Sequence, residues 1–274
     1  MTSQTMTSHL EKTICRLTKA YPLLGVVKIG ASRLGSPIYA LTLGHGENAV
    51  LINATHHANE WITSLIALKF LEECAQNPQN WMDNITLHVI PLVNPDGADA
   101  AINGYPNWKA NIIGVDLNSN YPAGWKTAKK YKFEKGYTKP GPRDYVGEYP
   151  LSEPETSAMA AYTIANDFSL TVSLHTQGEE IYWQYQDYMP PGAEDLAQRM
   201  SAVSGYPLVD VPESSAHGGY RDWFIEKFNR PGITIECGLG ENPLPLSDFD
   251  DIYKKVSPML LETLKGDVSL SECS

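Results

Sequence analysis

Positive charge is scarce in this sequence. Of 274 residues, Lys and Arg total 21 against 32 Asp and Glu, for a formal net charge of −11, and only 19% of residues are charged at all. A surface short of cations makes weak non-specific contact with nucleic acid phosphates or anionic lipid. Neither nucleic acid nor membrane is therefore an expected partner, although one local basic pocket would still suit an anionic small substrate. Long apolar runs are also missing: nothing approaches the roughly 18 residues of a membrane helix. Residues 1–12 lack the basic start and apolar stretch of a secretory signal, so the expected compartment is the cytoplasm. The four cysteines, Cys15, Cys74, Cys237 and Cys273, form no CxxC pair and read as free thiols. There is no internal repeat, no heptad run and no low-complexity stretch. The HExxH pattern is absent, which excludes the zinc arrangement built on one helix.

What is present is enough apolar residue, 42%, to bury a large core. Residues 8–20 read as an amphipathic helix ending before Pro22. Residues 25–30 and 38–43 read as strands joined by a turn over 32–37. Continuous apolar runs at 49–54 and 85–93 have the look of buried strands. A helix is expected over 60–75, and Asn94-Pro95-Asp96-Gly97 reads as a turn. Residues 103–150, rich in Gly, Pro, Asn and Tyr, are expected to be a long irregular excursion. Ser152-Glu153-Pro154-Glu155-Thr156 resembles a helix start with Ser152 as the cap. A strand over 170–174 ends at His175, helices follow over 192–204 and near 219–229, a last strand over 232–235 ends at Glu236, and a helix covers 248–264. Strands alternating with helices predict one α/β domain over 1–274, a mixed, twisted, mostly parallel sheet between helices, with no room for an accessory module.

In that reading His57, Asn94, His175 and Glu236 all fall just past the ends of apolar strands. Open α/β sheets bind ligands outside the carboxyl ends of their strands, which predicts a shared site. His57 and Glu60 stand three residues apart across a strand-to-helix junction, and one turn of helix puts such residues on one side. Imidazole and carboxylate are both zinc ligands. HxxE alone also describes an exposed glutamate beside a capping histidine. His175 alone also reads as a structural histidine, Glu236 as a capping acid or ion-pair partner, and Asp116 as a turn aspartate.

The motif order goes further. His57-Ala58-Asn59-Glu60-Trp61, Asn94-Pro95-Asp96-Gly97, Gly114-Val115-Asp116-Leu117-Asn118, Ser152-Glu153-Pro154-Glu155-Thr156, Leu174-His175 and Thr234-Ile235-Glu236 follow one another as they do in the zinc carboxypeptidase family of metallopeptidases. The chain resembles that family over roughly residues 8–265. The resemblance implies one zinc held by His57, Glu60 and His175, with Glu236 as general acid/base. It also implies that Asp116 orients the first histidine. His56 is read as non-ligating.

The sequence departs from the family at the group that recognises a free C-terminal carboxylate. The family's Asn-Arg pair is here Asn118-Ser119, and serine offers no charged fork. The family's pocket tyrosine also has no counterpart in Glu213-Ser214-Ser215-Ala216-His217. Lys109, five residues before Gly114, stands near where the family implies an oxyanion-stabilising arginine. Its alternative reading is a loop-surface lysine. Arg221, in Gly219-Tyr220-Arg221-Asp222-Trp223, stands where the family lines its specificity pocket, or else on a helix surface. Asn118, Ser119, Arg221 and His217 are thus the candidate substrate-binding residues. Trp108-Lys109-Ala110-Asn111 and Gly240-Glu241-Asn242-Pro243-Leu244-Pro245 bring the chain nearest to the γ-D-glutamyl-L-diamino acid endopeptidases within the family. That likeness implies a peptidoglycan stem peptide or muropeptide as substrate, with the diamino acid being meso-diaminopimelate or lysine. It also implies a cytoplasmic role in muropeptide recycling or sporulation, and leaves the oligomeric state unknown. The rival expectations are an ordinary metallocarboxypeptidase, a non-catalytic zinc- or ligand-binding module on the same fold, and cleavage of small acylated amino acids.

Overall fold

The computed structural model describes residues 5–77 and 80–265. Cys273 lies outside the described residues, as do the other masked positions. The chain enters through helix α1 (Met6–Ala20), capped where the Thr5 hydroxyl accepts from the Ser8 N–H, then forms the strands β1 (Gly25–Ala31), β2 (Pro37–Gly44) and β3 (Asn48–Ala54). Helix α2 (Ile62–Gln76), strand β4 (Ile85–Ile90) and helices α3 (Pro95–Ile102), α4 (Trp125–Glu134) and α5 (Pro154–Asn166) follow. Strands β5 (Leu170–His175) and β6 (Glu180–Tyr182), helices α6 (Ala193–Ser204) and α7 (Tyr220–Phe228), strand β7 (Gly232–Glu236) and helix α8 (Phe249–Glu262) complete it.

The strands form one sheet of order β1-β2-β4-β3-β5-β7-β6. Its centre, β4-β3-β5-β7, is parallel, while β1, β2 and β6 pair antiparallel at the edges. Both faces are covered, so the central strands read as continuous apolar runs. Val50, Ile52 and Ala54 of β3 point into a core with α2, α6 and α8, while Leu51 points into a second core with α5 and α7. No helix among the described residues is long and apolar enough to cross a membrane.

The structure corrects several local expectations. Asn94-Pro95-Asp96-Gly97 is a helix start, not a turn: Asn94 caps α3, its Oδ1 accepting from the Gly97 N–H at 3.1 Å, and Pro95 occupies the first turn. A Cβ at Gly97 would meet Asn94 Oδ1 at 2.5 Å and the Ala110 carbonyl oxygen at 2.7 Å, which explains the glycine. The cap of α5 is Glu153, not Ser152. Ser152 instead donates to the Glu153 carboxylate at 2.8 Å. The excursion over 103–150 is turns and irregular chain except for α4 and a short 3₁₀ helix at Leu117–Ser119. Strand β4 stops at Ile90, short of the apolar run. Strand β6 is three residues long, too short to show a period in sequence.

Candidate metal centre and active site

The parallel strands β3, β5 and β7 deliver the chemistry at their carboxyl ends. His57 follows β3 and begins a tight 3₁₀ turn over Ala58–Glu60, which returns Glu60 to the same side. His175 ends β5 and Glu236 ends β7, and the β5–β7 register sets the two side by side. His57 Nδ1 lies 2.7 Å from Glu60 Oε1, His175 Nδ1 lies 2.9 Å from Glu60 Oε2, and the two Nδ1 atoms are 3.1 Å apart. All three residues are buried, and ligand atoms from each lie within 4.8 Å of one another.

The donor chemistry fits a zinc ion. Asp116 Oδ1 lies 3.3 Å from His57 Nε2, a partner that keeps the proton on Nε2 and turns the Nδ1 lone pair towards Glu60 and His175. Two ring nitrogens of the same kind converge beside a carboxylate, which is the arrangement of a cation site with three protein ligands. Burial opposes ionisation of Glu60, but the His57 and His175 rings outweigh it and hold its carboxyl well below the usual range. Asp116 is likewise held down against burial by Lys109 and His57. Glu236 behaves oppositely: burial first, then the Glu60 charge, pushes it up to about 8.

Lys109 is not a free surface lysine. Its Nζ lies 3.8 Å from Asp116 Oδ2, its side chain is 19% exposed, and Asp116 and Glu60 keep it charged despite burial. A cavity of about 510 Å³ opens over the cluster, with His57, Glu60, Lys109, Asn118, Arg143 and Glu236 in its wall. Asn118 is held by the Tyr220 N–H, which donates to its Oδ1 at 3.0 Å, and its Nδ2 lies 3.4 Å from His175 Nε2. The structure does not bring Ser119, Arg221 or His217 to this wall. Ser119 is buried with its backbone against Gly218. Arg221 turns into the fold, pairs with Asp222 and lies over the Tyr182 ring. His217 bonds the Tyr185 hydroxyl at 3.0 Å and lines a separate cavity of about 70 Å³ beside α4.

Asn94, at a strand end in the sequence reading, does not join the cluster. Its amide donates to the carbonyls of His56 (3.0 Å) and Ala110 (3.1 Å), clamping the ligand turn to the Lys109 segment. His56 is fully buried, bonded to the Tyr121 hydroxyl at 2.9 Å and stacked on His175. Sequence reasoning missed Arg143. It follows no strand and belongs to no motif, and it reaches the wall because the N–H groups of Lys109 and Ala110 both donate to the Pro142 carbonyl, at 2.8 and 3.0 Å.

A triad able to hold a cation, beside a half-buried carboxyl and a fixed ammonium, defines a metal-dependent hydrolase. Comparison with known families agrees: the zinc carboxypeptidase family model matches residues 10–257, and the chain belongs to that family of zinc peptidases. It is 38% identical to gamma-D-glutamyl-L-diamino acid endopeptidase 1 of Lysinibacillus sphaericus, over 94% of this chain and 71% of that protein. Among solved structures, bovine thrombin-activatable fibrinolysis inhibitor in complex with tick carboxypeptidase inhibitor shares the fold at a TM-score of 0.80 and 22% identity, over 94% of this chain and 95% of that one. Murein-tripeptide amidase MpaA from Escherichia coli O157 shares it at 0.60 and 24%, over 87% and 92%.

Proposed function

We propose that the chain hydrolyses the γ-D-glutamyl–diamino acid bond of peptidoglycan stem peptides or muropeptides. The observation that carries this reading is the departure of the Asn118 end of the pocket from a carboxypeptidase. Position 119 is a buried serine outside the wall, so a terminal carboxylate has no guanidinium there. The cations that do line the pocket, Lys109 and Arg143, suit a substrate carrying free carboxylates elsewhere. The similarity to the Lysinibacillus endopeptidase supports the same bond.

His57, Glu60 and His175 would hold the zinc, and Asp116 orients His57. Bound there, zinc supplies an open Lewis-acid position that acidifies water and polarises a carbonyl. Glu236 takes the proton of the attacking water and returns it to the departing amine. Its carboxyl, held up by burial and Glu60, comes down in the field of a dication to where it exchanges protons near neutral pH. Lys109, kept charged by Asp116 and Glu60, faces the developing oxyanion. Asn118 contacts the leaving side of the substrate.

The test is mass spectrometry of products from purified stem tripeptide and tetrapeptide with added zinc. Release of L-Ala-D-Glu is the expected result, and release of D-Ala alone identifies a carboxypeptidase instead. Lys109→Ala is expected to lower kcat by roughly 10²–10³ as an oxyanion donor is lost. An unchanged kcat in stopped assays removes Lys109 from the mechanism.

A further inference from the structure

The geometry points to Arg143 as the residue that recognises the free α-carboxylate of the γ-linked D-glutamyl group, and so selects the γ bond over an ordinary peptide bond. This rests on the substrate reading above and names the side chain behind it.

Arg143 is the guanidinium in the wall of the catalytic cavity, and it is mounted for binding. Its Nε donates to Asp144 Oδ2 at 2.8 Å, while Nη1 and Nη2 make no hydrogen bond with the described residues. The side chain is 58% exposed and lines the cavity. Its mount is rigid. Asp144 is buried, has a positive φ of 67°, and is paired through Oδ1 with the buried Lys132 ammonium. Two bonds on one side and one on the other fix the segment. Lys109 and Ala110 donate to the Pro142 carbonyl, and Asp116 N–H donates to the Tyr145 carbonyl at 2.8 Å. The same residues that set Lys109 and Asp116 therefore set Arg143.

Position decides which carboxylate it meets. Arg143 follows directly on Pro142, whose carbonyl accepts from the Lys109 N–H, whereas the Asn118 side chain is held by the start of α7 and lies beside His175. If Lys109 faces the oxyanion, its wall holds the acyl half of the substrate. In a γ-linked D-glutamyl group, the acyl half carries a free carboxylate two methylenes and one Cα beyond the scissile carbonyl. An α-linked residue has no anion on its backbone there. A planar guanidinium with one edge already committed to Asp144 and the other open matches a carboxylate in two parallel bonds, where a lysine offers only a point charge.

The experiment compares two tripeptides, L-Ala-γ-D-Glu-diaminopimelate and its α-carboxamide analogue, as substrates of the zinc-loaded wild-type enzyme, Arg143→Gln and Arg143→Lys. Wild type is expected to prefer the free carboxylate by about 10–100-fold in kcat/KM. Arg143→Gln is expected to raise KM for that substrate by about the same factor with kcat nearly unchanged, the sign of lost binding common to ground and transition states. Its kcat/KM on the carboxamide should fall far less, because that group carries no charge to pair with a guanidinium, and Arg143→Lys should fall between. An Arg143→Gln enzyme that keeps the preference, or loses activity equally on both substrates, overturns the assignment. So does a wild type that cleaves both equally well, which leaves the γ-bond reading intact. A wild type that cleaves neither refutes that reading, and this one with it.

Discussion

Glu236→Gln is expected to keep zinc at one ion per chain and to lower kcat by about 10²–10⁴, the range that a positioned general acid/base supplies. The replacement is close to isosteric, and residue 236 would still end β7 beside His175 in the β5–β7 register. The three metal-binding side chains would be untouched. What glutamine cannot do is take a proton from water and give it to an amine. Metal content by atomic absorption and kcat from steady-state assays check the two halves together, and a variant with full turnover refutes the role of Glu236. The same variant gives a reading without catalysis. In the metal-free protein, burial and the Glu60 charge raise Glu236 from 4.5 to about 8. A raised pKa means that the neutral acid suits the fold. Its stability is fully present below the ordinary value and is lost as pH rises towards 8. Glutamine does not ionise, so chelator-treated Glu236→Gln should melt above chelator-treated wild type at pH 8, and the gap should close towards pH 5. A gap of the opposite sign would place Glu236 in an environment that favours its charge.

How much of this was open to reading from the chain alone follows from where each residue sits. His57, His175 and Glu236 each close an apolar run, and a buried parallel strand announces itself by exactly such a run, so their convergence at one sheet edge follows from topology. Asn94 obeyed the same rule and went elsewhere, because a capping side chain satisfies its own helix before it reaches a pocket. Arg221 looked like a pocket residue from its neighbours, yet an adjacent Asp222 draws its guanidinium inward, a pairing that depends on rotamers and not on spacing. Lys109 and Arg143 come from the excursion between α3 and α5, whose path is set by backbone bonds to Pro142 and Tyr145. No periodicity encodes such bonds. Lys109 was reached through a family resemblance, and Arg143 had no motif to mark it. Edge strand β6 escaped for a simpler reason, since three residues carry no alternation to detect.

His175→Ala is expected to abolish stoichiometric zinc binding and, with it, turnover. The ring supplies the one metal-facing nitrogen that comes from β5, and its Nδ1 stands 2.9 Å from Glu60 Oε2 and 3.1 Å from His57 Nδ1. Without it the remaining donors, His57 and Glu60, come from one turn and leave half the coordination sphere to water. Asp116→Asn makes the graded comparison. It keeps all three ligands but weakens the hold on His57 Nε2, and loss of such a supporting partner lowers metal affinity by about 10–100-fold. Titration with a competing chelator should therefore rank wild type above Asp116→Asn and both far above His175→Ala. Thermal melting gives the same order independently of activity. A ligand that binds only the folded chain stabilises it by about 4.1 kcal/mol at 1,000 times its Kd. Zinc should therefore raise the Tm of wild type and of Asp116→Asn, the latter at higher metal, and leave His175→Ala unmoved. A zinc-dependent rise in Tm that survives His175→Ala would mean that the ion binds somewhere other than at the ends of β3 and β5, and the hydrolytic mechanism would lose its foundation.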